Sequence, residues 1–289
     1  MNLPKRPLPI LIDTGSSGPA GASSRRLFRQ CMQAWAYRYL LHFEPKELND
    51  ALSMGTLGHV WAAHRFARMQ AVQRGEDPRS WLPSDTAMFM AARKMQYQNH
   101  VHEIAKVESA MRAYEAKYPD DAENYEILHV EELHAIDFFD VPYPGRLDRV
   151  MRDRRTGKIW IVDMKTTGRI ESKTFQGHLL NGQRLGYDHM GLQYGSDYAG
   201  VMIDVVQWDP HRFVRKKIED VPHAVREYPD TIAFFDGIRQ QLADAGIDPW
   251  HYPKAFNETI CVGRYGICDY AKLCMNGKAS LEDFVTVDQ

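Results

Sequence analysis

The stretch that most constrains this chain runs from Gly145 to Lys165, GRLDRVMRDRRTGKIWIVDMK. Two extended runs, Arg146 to Met151 and Ile159 to Thr166, are joined by RDRRTGK, in which Gly157 is free to take positive φ. Residues two apart in a strand share a face, so Asp163 and Lys165 point with Ile159 and Ile161, while Trp160, Val162 and Met164 point the other way. Both faces are largely apolar, as in a central strand covered on two sides. Burying a carboxylate and an amine there is costly unless something compensates. A divalent cation shared by Asp148 and Asp163, with Lys165 set beside a phosphate, would compensate.

The chemistry this pattern suits is metal-assisted phosphodiester hydrolysis. Asp148, fourteen intervening residues and then Asp163-x-Lys165 supply two carboxylates for Mg²⁺ or Mn²⁺. The ion would polarise the phosphate and acidify a bound water, and Lys165 would orient that water or meet the charge growing in the transition state. The plainer alternative is a surface hairpin carrying an incidental Asp, Asp and Lys.

With 289 residues the chain can form one large domain or two modest ones, and 44% hydrophobic with 26% charged residues is ordinary for a globular protein. No apolar run has the roughly 18 residues of a membrane helix, and Ile10-Leu11-Ile12 is too short for a signal peptide's apolar segment. A net charge of -2 places any phosphate-binding surface in local patches. There is no G-x-x-x-x-G-K-[ST] phosphate loop, hence no recognisable NTPase motor.

Taken in order, residues 1–22 read as a flexible arm rich in Pro, Gly and Ser. A helix capped by Ser23 or Ser24 runs to about Phe43, a second from Asn49 to Arg74, and a third, long one from Ser84 or Asp85 to Tyr118. From Tyr125 the period shifts towards two: EILHVEELHAIDFF is one long strand or a hairpin, followed by the hairpin above. A helix over Leu179–Tyr198, two strands turning at Asp209-Pro210, and a helical region from Val221 to Ala245 broken near Pro229 come next. An irregular tail with three cysteines follows. This order gives an α/β class with a mixed central sheet flanked by helices, a helical N-terminal part and a cysteine-rich C-terminal tail. The expected division is an arm (1–22), one domain (23–275, comprising 23–120, 121–220 and 221–275) and a tail (276–289).

Gly145-Arg-Leu-Asp148 followed by Asp163-Met-Lys165-Thr166 resembles the core of the PD-(D/E)XK, restriction-endonuclease-like nuclease superfamily. The nearest likeness is to its RecB-like branch of CRISPR-associated and phage-borne exonucleases. Gly55 to His59 resembles that branch's Gly-x-x-x-His, and Gln183 to Tyr187 its Gln-x-x-x-Tyr. The resemblance implies Asp148, Asp163 and Lys165 as catalytic residues. It implies His59, Asp148, Asp163 and the Met164 carbonyl as metal ligands, and Gln183, Tyr187 and Arg146 as DNA contacts or supports. A further acidic residue is expected on the preceding strand, where Glu131 and Glu132 compete. Taken alone, His59 is an ordinary helical histidine, and Gln183 with Tyr187 an ordinary half-buried pair on one helical face.

Four cysteines without an export signal argue for thiolates with a task other than disulfide bonding. Cys31 is followed far downstream by Cys261, Cys268 and Cys274, spaced C-x6-C-x5-C. Four thiolates match a 4Fe–4S cluster or structural zinc, and the bland alternative is four buried thiols. Iron–sulfur nucleases of the RecB-like branch also use one N-terminal cysteine and a C-terminal trio, which makes the cluster the expected occupant and zinc the alternative.

Basic residues crowd the hairpin (Arg146, Arg149, Arg152, Arg154, Arg155, Lys158, Arg169, Lys173), the first helix (Arg25, Arg26, Arg29) and the last strand (Arg212, Arg215, Lys216, Lys217). Trp35, Tyr37, Tyr39, Tyr187 and Tyr194 are candidates for stacking on unpaired bases. The resulting expectation is a metal-dependent deoxyribonuclease, an exonuclease on single-stranded DNA or free ends, acting in recombination, repair or phage DNA metabolism. A helicase or recombination partner and a cytoplasmic site in a bacterial, archaeal or phage-infected cell are implied, with no membrane. The alternatives are a structure-specific endonuclease and a non-catalytic iron–sulfur DNA-binding protein.

Overall fold

Apolar residues at helical spacing build the first layer. In the helix Asp50–Gln73, Met54, Leu57, Trp61, Ala67 and Ala71 form one buried stripe. The computed structural model describes residues 12, 18–47, 49–171, 174–218, 220–263 and 266–287. Most of the expected arm over 1–22, and Lys173, lie outside these.

The chain divides into two units. One comprises Met1–Gly15, Asp50–His134 and Arg146–Val221; the other comprises Ser16–Asn49, Ala135–Gly145 and Pro222–Gln289. A five-stranded sheet has the order Tyr125–Phe138, Val141–Asp153, Ile159–Thr167, Tyr198–Gln207, Arg212–Lys217. The second and third strands pair antiparallel, the third and fourth parallel, and the fourth and fifth antiparallel. The parallel step needs a crossover, and the helix Gly182–Gly191 lies within it. This is the expected mixed sheet.

In the first unit the helices Asp50–Gln73, Ser84–Lys94 and Val101–Lys117 share one core with Met151, Val162, Met164 and Val206 of the sheet. Each large apolar side chain fully buried there contributes about 1.5–3 kcal/mol. Gly55 and Gly58 bring the long helix close to the third strand. A Cβ on Gly58 would stand 2.9 Å from Trp208 and 3.4 Å from Met164, and one on Gly55 3.2 Å from Thr166. Next to Gly58, His59 is thereby delivered to the sheet.

The same face carries a buried ionic group. Asp204 (0% exposed) is paired with Arg149 (1% exposed) and accepts a hydrogen bond from Tyr114. Arg215 lies 3.0 Å from Asp204 and 2.6 Å from Asp121. Burial pushes the Asp204 carboxyl up, but Arg215 and Arg149 outweigh it and hold the carboxyl below its usual range.

In the second unit, Phe28, Trp35, Ala36, Tyr39 and Tyr252 form one cluster, and Ala34, Tyr37, Tyr270, Leu273 and Phe284 another. Phe43–Pro45 pairs antiparallel with Phe284–Thr286, which ties residues near the two ends of this unit together.

Several element boundaries differ from the sequence reading. The first helix is two, Ala22–Gln30 and Met32–Tyr39, because Cys31 is extended (φ -158°, ψ 108°). It begins at an uncapped Gly21 rather than at a serine cap; the Ser24 hydroxyl instead accepts the Trp35 indole N–H at 2.7 Å. The long third helix breaks between Lys94 and Val101, where Gln96 is left-handed (φ 57°) and buried Tyr97 donates to Asp50 at 2.7 Å. Pro229 does not break its helix, which runs through Pro222–Asp244; a proline's φ is helical, and the lost N–H bond is tolerated there. The tail is less irregular than expected, with helices Glu258–Cys261 and Ala271–Asn276 and a small strand pair between them.

Removing one partner of a buried ion pair strands the other charge. Arg149→Ala is therefore expected to cost about 3 kcal/mol in urea unfolding; an unchanged midpoint would exclude the ionic group from the balance of forces in this core.

Candidate active site

Asp148 lies where the hairpin stops pairing. Among the described residues the ladder between its two strands runs from Arg152 opposite Ile159 to Arg149 opposite Val162, and beyond it the Asp148 carboxylate accepts the Met164 backbone N–H at 2.7 Å. Asp163 is 3% exposed, on the face opposite Met164. Lys165 Nζ is 2.8 Å from one Asp163 oxygen and 3.0 Å from the other, and donates to Gln183 Oε1 at 2.9 Å. Burial pushes the Asp163 carboxyl up; the Lys165 ammonium opposes this, and the nearby Asp148 adds to it.

The crossover helix holds the lysine. The Asn181 side chain caps it by accepting the Gln183 N–H at 2.9 Å. Gln183 Nε2 donates to the Tyr187 hydroxyl at 2.8 Å, and that hydroxyl donates to the Arg146 carbonyl at 2.8 Å. Arg146 in turn donates to the Glu131 carbonyl at 3.0 Å. A continuous line of hydrogen bonds thus joins Lys165 to the strands carrying Asp148 and Glu131. Tyr187 is 3% exposed, which makes it a support rather than a stacking surface.

From the long helix, His59 Nδ1 approaches Asp148 Oδ2 at 3.4 Å. His59, Glu131 and Asp148 each place one ligand atom within 4.8 Å of the others. Glu131 is buried and left-handed (φ 49°), which interrupts the alternation of its strand. This resolves the competition between neighbouring glutamates: Glu131 turns into the site, whereas Glu132 is exposed beside His129. Strand periodicity alone carries no signal for such an irregularity. The donor set, two carboxylates and one imidazole, fits Mn²⁺ or Mg²⁺. A cation would also answer the charge of buried Asp163.

Sequence reasoning missed His178. It lies within electrostatic reach of Lys165, and burial together with the lysine charge pushes its pKa down to about 4. Its only signal would have been a place in the loop before the crossover helix.

Some proposed phosphate and base contacts are spent elsewhere. Arg149 and Arg215 are in the buried ionic group, Arg152 meets Glu126 at 2.7 Å, and Arg25 donates to the Pro142 carbonyl at 2.8 Å. Trp35, Tyr37, Tyr39 and Tyr187 are core residues. Aromatic and basic residues interleaved in a sequence do not reveal which are buried.

The four cysteines all lie in the second unit and are half-buried. Cys31, Cys268 and Cys274 pack against the same cluster, and the Cys268 N–H donates to the Cys261 carbonyl at 2.8 Å. Burial pushes the thiols of Cys268 and Cys274 up; Cys31 and Cys274 add to the first, and Cys31 and Cys261 to the second.

The mixed sheet thus presents two aspartates and a lysine on one face, and a histidine and a glutamate converge on Asp148 from flanking elements. The model of the PD-(D/E)XK nuclease superfamily matches residues 20–275, and the chain belongs to that superfamily. It is a nuclease by membership. No curated protein matches the chain. A crystal structure of SSO0001 is similar at 21% identity over 49% of this chain and 70% of that one, with a TM-score of 0.27, too low to carry an argument.

An acid whose folded pKa is raised is stabilising when protonated and loses that contribution as pH rises through the folded value. At neutral pH without metal, Asp163 is therefore a destabilising charge. Asp163→Asn is expected to raise the melting temperature in chelator, by about 2–4 °C per kcal/mol gained, and to lose this advantage in Mn²⁺. A lower melting temperature in chelator would show that the Lys165 pair outweighs burial.

Proposed function

We propose that this chain is a RecB-like deoxyribonuclease that uses Mg²⁺ or Mn²⁺ and degrades single-stranded DNA or DNA with free ends. The observation that carries the reading is the convergence of His59, Glu131 and Asp148 beside the Asp163–Lys165 pair. His59, Glu131, Asp148, Asp163 and the Met164 carbonyl would hold the ion. Bound there, the ion supplies Lewis acidity at the phosphate and an acidified water.

The chain's own residues do the rest. Lys165 Nζ, fixed between Asp163 and Gln183, orients the attacking water and meets negative charge on a phosphate oxygen. Gln183 and Tyr187 are positioning residues for that ammonium. Preference for ends and single strands is supported by the likeness of Gly55–His59 and Gln183–Tyr187 to RecB-like motifs. The single domain over 23–275 belongs to the same reading.

The same reading assigns a 4Fe–4S cluster to Cys31, Cys261, Cys268 and Cys274, with zinc as the alternative. Cys268 lies within electrostatic reach of Cys31 and Cys274, and Cys274 within reach of Cys31 and Cys261; metal or cluster binding would deprotonate these thiols.

End-labelled single and double strands and closed circles, incubated with and without Mn²⁺, test the activity. Metal-dependent shortening of linear strands is expected. Cutting of a closed single-stranded circle would overturn end dependence, and Lys165→Ala should abolish cleavage while DNA binding persists. Protein purified without oxygen should be brown, with ~4 iron and ~4 sulfide per chain; a colourless zinc protein would overturn the cluster.

A further inference from the structure

The strand Tyr125–Phe138 carries a second donor group whose ligand atoms differ from those of the nuclease site. His129, Glu132 and His134 each place one ligand atom within 4.8 Å of the others. Simple alternation would not gather them, since 129 and 132 differ by an odd number. The left-handed Glu131 supplies the irregularity that turns Glu131 one way and brings Glu132 beside His129.

His129 Nδ1 already touches the Glu132 carboxylate. The His134 ring stands edge-on to His129, 5.2 Å between centroids, and its buried Nε2 has no hydrogen-bond partner among the described residues. The ring of Tyr194 is 6.5 Å from His129, and its buried hydroxyl likewise has no partner among them. Two buried polar groups left so unmatched are costly unless something binds them.

We infer that His129, Glu132 and His134 form a second metal site, distinct from the nuclease centre, that takes a first-row transition metal such as Zn²⁺. Two imidazoles and one carboxylate are a zinc donor set that leaves a fourth position for water. Ligand atoms bound at about 2.0–2.2 Å around tetrahedral zinc stand about 3.3–3.6 Å apart, so small side-chain rotations suffice. Imidazole donors disfavour Mg²⁺ and Ca²⁺, so this site and the carboxylate-rich nuclease site select different ions. A metal here clamps both sides of the left-handed Glu131 and fixes the break that aims its carboxylate at His59 and Asp148.

The test is titration of the full-length protein with Co²⁺ alone, in an Asp148→Ala background that disables the nuclease centre. The expected result is visible d–d absorption without a thiolate charge-transfer band, lost on adding His134→Ala and, independently, Glu132→Gln. Because Glu132 is exposed, its variant is expected to fold whatever becomes of the His134 variant. Co²⁺ spectra showing only thiolate charge transfer would assign the ion to the cysteines and overturn the proposal. Visible absorption that survives Glu132→Gln and His134→Ala would overturn it as well.

Discussion

Asp163 is a carboxylate placed in the middle strand of a sheet where water barely reaches it. Burial opposes its charge, and the fold answers with one ammonium, Lys165, two residues along the same face. Much of the first unit serves this pair. The crossover helix must present Gln183 to the ammonium, so its start is fixed by the Asn181 cap and its next turn by Tyr187. The long helix must come close enough to bring His59 to Asp148, which the glycines at 55 and 58 permit.

The two faces of the hairpin handle charge in opposite ways. On the Asp163 face, carboxylates gather with one lysine and one histidine, a balance that a divalent cation would complete. On the other, Asp204 and Asp121 are matched by Arg149, Arg215 and Tyr114 within the protein. The second arrangement is closed and structural; the first stays open to a ligand. Adjacent residues Asp148 and Arg149 serve these different ends because successive side chains on a strand face opposite ways.

Much of the site was legible in the sequence because its signals are local. Strand alternation placed Asp163 and Lys165 on one face, and helical spacing placed Gln183 and Tyr187 together. Helix ends and breaks were less legible. Cys31 and Gln96 interrupt apolar patterns that would otherwise run on, since their backbone angles answer to tertiary contacts rather than to propensity. Arg149 and Arg215 read as phosphate contacts because a charge run looks alike whether it faces solvent or a buried aspartate.

By itself the sequence determined the sheet-forming hairpin, the Asp148, Asp163 and Lys165 constellation, and a mixed α/β core, all encoded in spacings of a few residues. Only the tertiary structure decided between Glu131 and Glu132. A single left-handed residue reverses which of two neighbours faces the site, and no periodic pattern announces it. The same residue gathered His129, Glu132 and His134, and long-range packing turned Arg149 from a surface cation into a buried counter-ion. Those outcomes rest on contacts between distant segments, where burial and charge compensation override the local code.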